Sequence, residues 1–317
     1  MAELRNTFSW SFSAAEDFAE CRRRRYWAKY AMWGGWSPNA TPRQQAAYRL
    51  TKMENRHALA GQAVEQAARW ILRRRQEGRE AGVEEAYEAE ARPFLLRCWQ
   101  ESKTGAWRAN PKKHCCLHEH YYGGFADRDK KEIIVRLREH IKRCLSHFVV
   151  SVLPRLASVR PDQEVPVATA ADGDPESFMF EGVKVYAIPD YVYRQDDVWH
   201  IHDWKSGHES DRHVEQMRLY GLWAHLKHGV QPERCRTHLE YLARGEVRSA
   251  EVTAADLDAA AESIRLSVEE MTEYLQNGDR ARNEPLPMED WDLAATREPC
   301  RLCNFIELCA PELEASS

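Results

Sequence analysis

Residues 187–205 read AIPDYVYRQDDVWHIHDWK. Pro189-Asp190 closes one extended run, and Tyr191–Tyr193 continues it. Gln195-Asp196-Asp197 makes a turn, and Val198–Trp204 reads as the returning strand. Side chains alternate faces along a strand, so Asp203 and Lys205 point one way and His202 and Trp204 the other. The hairpin brings Asp190 back toward Asp203. Two carboxylates held that close repel each other unless a cation lies between them. Hard oxygen ligands suit Mg²⁺ or Mn²⁺. Such a metal activates water, neutralises a phosphodiester and stabilises a leaving oxygen, while Lys205 orients the water or offsets transition-state charge. A bare Asp-x-Lys also occurs on ordinary surface hairpins. Gln216 and Tyr220 narrow the choice: four residues apart, they share one face of the next helix, about Ser210 to Lys227.

Further strands flank this hairpin. Phe178–Phe180 and Val183–Ile188 turn about Glu181-Gly182, and Val165–Val167 is a candidate short strand. Thr237–Leu242 is extended, with Glu246–Val252 pairing back across Arg244-Gly245. Thr253 caps a helix expected to reach Asn277, with Gly278 as its stop, and Leu257, Ala261, Ile264, Val268, Met271 and Leu275 form its apolar stripe. The first half of the chain reads differently. Helix is expected over 9–33, capped by Ser13 with Glu16 three positions on. It is expected again over 43–76, over 79–103 with a break at Pro93, and from Lys130 to about Leu153. Residues 105–124 read as irregular. The fold class is therefore α/β: a mixed central sheet flanked by helices, with a large helical N-terminal portion. The expected parts are helical 1–160, core 161–282 and tail 283–317.

Lys and Arg number 45 against 50 Asp and Glu, net −5. That excludes a histone-like, globally basic binder and leaves room for a local basic groove. No apolar run approaches membrane-spanning length, and residues 1–18 contain no apolar signal core, so the expectation is a cytoplasmic protein without a membrane partner. The nine cysteines are an odd number in a chain long enough to stabilise itself by burial, which argues against a disulfide framework. Cys300-x-x-Cys303-x5-Cys309 closes the chain, and Cys21 sits in the first helix. Thiolates at this spacing suit zinc or an iron–sulfur cluster about equally. His114-Cys115-Cys116-Leu117-His118-Glu119-His120 is either a second metal site or a surface loop. Arg22–Arg25 and Arg73–Arg75 are either phosphate contacts or solvated helix faces. Trp27, Trp33, Trp36, Trp70, Trp99 and Trp107 read mainly as packing anchors, with some able to stack on unpaired bases.

Taken together, Pro189-Asp190, Asp203-Trp204-Lys205 and Gln216-x-x-x-Tyr220 resemble the RecB-like branch of the PD-(D/E)xK nucleases. The resemblance implies a restriction-endonuclease-like core and hydrolysis of DNA, by an exonuclease acting on single strands or ends. It implies Asp190 and Asp203 as metal ligands, Lys205 as a catalytic residue, and Gln216 and Tyr220 as residues that place DNA. The branch's upstream Gly-x-x-x-His matches Gly61-Gln62-Ala63-Val64-Glu65, with Glu65 in place of the His ligand. Ala187 stands where Gly is usual. Cys21 with Cys300, Cys303 and Cys309 resembles the iron–sulfur subset, which includes CRISPR-adaptation and AddB-type nucleases. In that subset four cysteines hold a [4Fe–4S] cluster that clamps the chain ends together; zinc is the lesser alternative. The family usually has Pro after the first Cys, and Arg22 stands there. A helicase or a defence or adaptation subunit is the implied protein partner. The competing classes are a non-catalytic DNA-binding or assembly subunit, an RNA-processing enzyme and a zinc-stabilised scaffold. Residues 77–160 match nothing in the resemblance.

Overall fold

The computed structural model describes residues 4–125, 130–170 and 173–315. Its centre is a four-stranded mixed sheet in the order β6 (Tyr191–Gln195), β7 (Val198–Lys205), β8 (Cys235–Tyr241), β9 (Glu246–Glu251). β6 and β7 are antiparallel, β7 and β8 parallel, and β8 and β9 antiparallel. Parallel neighbours need a long crossover, and the helix α9 (Arg212–His228) supplies it between β7 and β8. A second sheet joins β1 (Ser9–Ser11), β5 (Val183–Tyr186) and β4 (Ser177–Phe180), with β1 parallel to β5. The chain leaves β5 through Ala187–Asp190 and enters β6 in the other sheet. Tyr191–Tyr193 therefore does not extend β5, as the sequence alone implied.

Alternation along the strands sends two sets of apolar side chains to two cores. Val192, Ile201, Leu239 and Tyr241 pack with Leu219 and Trp223 of α9 and with Ile264 and Val268 of α10 (Ala254–Glu273). Trp10 and Phe18 from the N-terminus join the same core. Trp223 is fully buried, and its Nε1–H donates to Glu176 Oε1 at 2.8 Å. Truncating it to Ala would cost roughly 3–5 kcal/mol. On the opposite face, Tyr191, Tyr193 and Trp204 pack with Val64 and Ile71 of α4 (Arg56–Gln76) and with Ile141, Leu145 and Phe148 of α8 (Lys130–His147) and the turn after it. The helical N-terminal half thus covers one face of the sheet.

Several expected boundaries move, each for a local reason. Residues 9–11 are strand, so α1 (Phe12–Glu20) is capped by Ser11 Oγ, which accepts from the Ala14 amide at 3.2 Å, and not by Ser13. Cys21 is extended (φ −162°) and breaks the helix; its Sγ accepts from the Arg24 amide at the start of α2 (Arg22–Tyr26). The expected helix over 43–76 is two, α3 (Pro42–Thr51) and α4, because Met53–Glu54 (β2) pairs in parallel with Cys116–Leu117 (β3). That pairing also orders part of the segment expected to be irregular. Pro93 does not break helix: the chain runs helical from Val83 through a π-helical turn at Tyr87–Ala91 into α6 (Arg92–Thr104), and that wider turn directly precedes the proline. Val165–Val167 is no strand; only the Val165 amide bonds across, to the Val192 carbonyl. Thr253 does cap α10, in a reciprocal capping box with Asp256. The helix ends at Glu273, short of Asn277, which adopts a left-handed φ of 56°.

Candidate active site

The β6–β7 hairpin places the carboxylates. Asp196 and Asp197 both have positive φ, 50° and 62°, as a two-residue turn whose twist matches that of its strands requires. The turn sets Gln195 opposite Val198 and, four pairs on, Tyr191 opposite His202. Extending that register by one puts Asp190 beside Asp203. The Asp190 amide donates to the His202 carbonyl at 3.1 Å, and the Trp204 amide donates to Asp190 Oδ2 at 2.7 Å.

Asp203 is 3% exposed. The buried Tyr220 hydroxyl lies 3.2 Å from both Asp203 Oδ1 and the Ile188 carbonyl, and it accepts from Gln216 Nε2 at 2.8 Å. Gln216 Oε1 accepts from Lys205 Nζ at 2.7 Å, and Nζ pairs with Asp203 Oδ2 at 2.7 Å. Asp203, Lys205, Gln216 and Tyr220 therefore close one network, and Asp190, held by the Trp204 amide, stands beside it. The Asp203 Oδ2 oxygen is buried and accepts no well-angled hydrogen bond.

The charges in this network are strongly coupled. Burial, then the Asp203 charge and then Glu65 push the Asp190 carboxyl well above the ordinary carboxylate range. Burial works against the Lys205 ammonium, but Asp203, Asp190 and Glu16 outweigh it and raise its pKa. Burial and the two aspartates raise the Tyr220 phenol well above its usual value, so it stays protonated.

Glu65 reaches this field from α4 without joining the network. Its carboxylate is 40% exposed and pairs with Arg69, four residues on, at 2.7 Å. Gly61, one turn earlier, lets α4 pass close to the end of β7: a Cβ there would stand 3.3 Å from Ser206 Oγ. Glu16 was missed as a neighbour. It was expected to be a capping residue, yet it pairs with Arg212 at 3.5 Å and acts on Lys205. Its approach depends on β1 pairing with β5, which no local pattern announces.

The donor set fits a hard divalent cation. It offers two carboxylates forced together, one of them with a buried oxygen held by Lys205 alone, in a site where a positive charge would relieve the repulsion on Asp190. Among the described residues, however, no three His, Cys, Asp or Glu side chains stand in metal-holding arrangement. Lys205 takes the place of a cation beside Asp203.

The chain ends meet elsewhere. Arg23, 3% exposed, donates from Nε to the Trp291 carbonyl at 2.8 Å and pairs with Glu312 at 2.7 Å. Cys303 is buried chiefly, and lies near Cys309 and Cys21; burial leads in pushing its thiol up to about 12. The Cys303 amide donates to the Cys300 carbonyl at 3.2 Å, which puts Cys300 on the same tight turn. Trp27 Nε1–H donates to Cys309 Sγ at 3.3 Å. Among the described residues these four thiols do not stand together in a metal-holding arrangement.

Other candidate residues are otherwise engaged. Arg22 pairs with Glu270, Arg24 with Asp17 and Glu20, Arg73 with Glu90, and Arg74 with Glu77 and Glu85. These are ion pairs within the fold, not free phosphate contacts. His114 pairs with Glu101 at 3.2 Å, His118 is buried against Tyr122, and His120 bonds Ser102 Oγ at 2.9 Å. His114 and His118 do not share a helix face, because α7 begins only at His118.

A family model described as the PD-(D/E)XK nuclease superfamily matches residues 9–310. The chain belongs to that superfamily. Within that span lie Pro189-Asp190 and Asp203-Trp204-Lys205, the two segments that the hairpin sets side by side. Superfamily members are generally nucleases, commonly dependent on Mg²⁺ or Mn²⁺, and the family implies DNA as the substrate class. No curated protein matches the chain. No helix among the described residues is long and apolar enough to cross a membrane.

Proposed function

We propose that this chain is a metal-dependent DNA nuclease of the RecB-like branch, an exonuclease acting on single strands or DNA ends in the cytoplasm. The observation that carries the reading is the Asp190–Asp203 pair, side by side, with Lys205 Nζ 2.7 Å from the buried Asp203 Oδ2. Asp190, Asp203 and Glu65 would hold Mg²⁺ or Mn²⁺, with Glu65 leaving Arg69 to do so. Bound there, the cation would supply a nucleophilic water at neutral pH and stabilise charge on the leaving oxygen.

The chain's own residues do the rest. Lys205 Nζ, held cationic by its aspartates, faces the attacking water and the developing negative charge on phosphorus-bound oxygen. Gln216 fixes Nζ from the side opposite Asp203. Tyr220 is a positioning residue: it reaches a strand only through Gln216 and Asp203, because its own hydroxyl is buried. In the reaction a water oxygen bonds to phosphorus, the bond from phosphorus to the leaving oxygen breaks, and that oxygen takes up a proton. Residues 1–160, 161–282 and 283–317 serve as cover, core and clamp.

The tail cysteines are proposed to hold a [4Fe–4S] cluster through Cys21, Cys300, Cys303 and Cys309, joining the ends of the chain. Cys300 and Cys303 share one tight turn, and Trp27 Nε1–H already donates to Cys309 Sγ. Iron and acid-labile sulfide analysis of anaerobically purified protein tests this, with Cys21→Ala expected to lose the cluster; zinc without sulfide would favour the scaffold reading instead. The Glu65–Arg69 pair favours a second reading, an accessory DNA-binding subunit of a helicase, defence or adaptation complex. Hydrolysis by the purified chain decides between the two, and digestion of RNA beside DNA tests the substrate class.

A further inference from the structure

The helix α8 lies in the part of the chain that the motifs left unassigned, yet it reaches the end of β7. His140 on α8 bonds to the Ser206 main chain, one residue past Lys205. Between α4, α8 and the Ser206–His208 loop runs a cleft of about 550 Å³. Arg56, Arg136, Arg143 and Arg244 line it, together with His57, His140 and His208, and among the described residues no Asp or Glu does. This is the reverse of the chain's acidic balance. Ala60, Ile133 and Leu137 give the cleft an apolar floor.

The arginines are not equally free. Arg56 lies 3.9 Å from Glu119 and Arg244 lies 3.3 Å from Glu209, while Arg136 pairs with Glu132. Arg143 has no carboxylate partner among the described residues; its NH2 lies 3.2 Å from His140 Nδ1. Burial first, and then the adjacent arginines, hold His57 and His140 below the ordinary imidazole range. Four arginines around one cleft make a positive field there, and such a field favours an anion.

We propose that this cleft is the track for a single polynucleotide strand running to or from the Asp190–Asp203 centre, with Arg136 and Arg143 contacting successive backbone phosphates. The inference rests on the nuclease reading and adds the strand's path. Its volume is that of a small-ligand pocket, about the room that one or two nucleotides of a single strand fill. Bases or sugars would rest on the apolar floor.

The test is fluorescence anisotropy of a labelled dT12 strand, in EDTA, at several salt concentrations. The parent is compared with Arg136→Gln/Arg143→Gln, two exposed α8 positions, and with Arg79→Gln/Arg160→Gln, two exposed positions elsewhere. Each phosphate contact contributes about 0.7 to the slope of log K against log salt for single strands. The α8 pair should lower the slope by about 1.4 and weaken binding roughly 25-fold at 0.1 M salt, with the control pair unchanged. An α8 pair that binds like the parent overturns the proposal. So does a parent that binds no strand, or that binds duplex as tightly as dT12. Hydrolysis is assayed separately with Mn²⁺: a parent that binds dT12 through α8 and cuts nothing leaves the track standing and removes the nuclease reading. In a cutting enzyme the α8 pair should raise KM and leave kcat unchanged.

Discussion

Removing the Tyr220 hydroxyl tests whether the network of Asp203, Lys205, Gln216 and Tyr220 is as tightly closed as its distances indicate. Tyr220→Phe keeps the ring, which is 3% exposed within the core, and deletes one oxygen. That oxygen accepts from Gln216 and donates to Asp203 Oδ1 or the Ile188 carbonyl. Without it, Asp203 Oδ1 loses the only hydrogen bond described for it, and Gln216 Nε2 loses its acceptor. A hydrogen bond to a charged group contributes about 1.5–3 kcal/mol, and a buried acceptor left bare costs a similar amount. No cavity of consequence forms, so the loss should be about 2–3 kcal/mol. Urea unfolding in EDTA measures it, with Tyr274→Phe as the control. The Tyr274 hydroxyl bonds Asp292 Oδ2 at 3.1 Å at an exposed position, and its removal should cost about 0.5 kcal/mol or less. Asp203 freed from Tyr220 should also lower kcat roughly tenfold, about 1.4 kcal/mol. A Tyr220→Phe protein as stable and as active as the parent would refute this account of how Asp203 is held.

Two further expectations concern the scaffold. Burial and neighbouring imidazoles hold His200 at about 4 and His238 at about 2, and burial also lowers His202. The unfolded chain binds protons below about pH 6.5, and the folded chain does not until far lower. Stability should therefore fall as pH drops from about 6.5 toward 4, with no contribution above 6.5. Each histidine adds up to about 1.4 kcal/mol per pH unit. His238→Gln should flatten that slope by about one histidine's share, and an unchanged slope in pH-dependent unfolding would contradict the cause assigned. Arg23→Met should loosen the clamp between α2 and the tail, costing about 2 kcal/mol, because it strips the Trp291 carbonyl of a donor and removes the Arg23–Glu312 ion pair. Limited proteolysis of the 297–315 segment should quicken in that variant, and equal rates would count against the clamp.

The hairpin was legible because its information is local. Period-2 alternation, a turn of two aspartates and Asp-x-Lys at the strand end fix which carboxylates meet. The i, i+4 spacing of Gln216 and Tyr220 likewise fixes a helix face. What the sequence hid is non-local. The pairing of residues 9–11 with β5 turned an expected helix start into strand and carried Glu16 toward Lys205. The pairing of Met53–Glu54 with Cys116–Leu117 split a helix that propensity alone would have run through. The arginine runs read as candidate phosphate contacts because their partners, Glu270, Glu312 and Glu90 among them, lie far along the chain. The basic cleft was invisible for the same reason: its cations come from α4, α8 and two loops, and none of those segments is basic enough by itself to stand out.

The most direct test of the central claim is digestion of end-labelled single- and double-stranded DNA with Mn²⁺ by anaerobically purified protein, run beside Asp203→Ala and EDTA controls. Metal-dependent cleavage that falls to background in both controls is the result expected if Asp190, Asp203 and Lys205 form a hydrolytic centre. Cleavage that survives Asp203→Ala, or a folded parent protein that leaves every substrate intact, would contradict it.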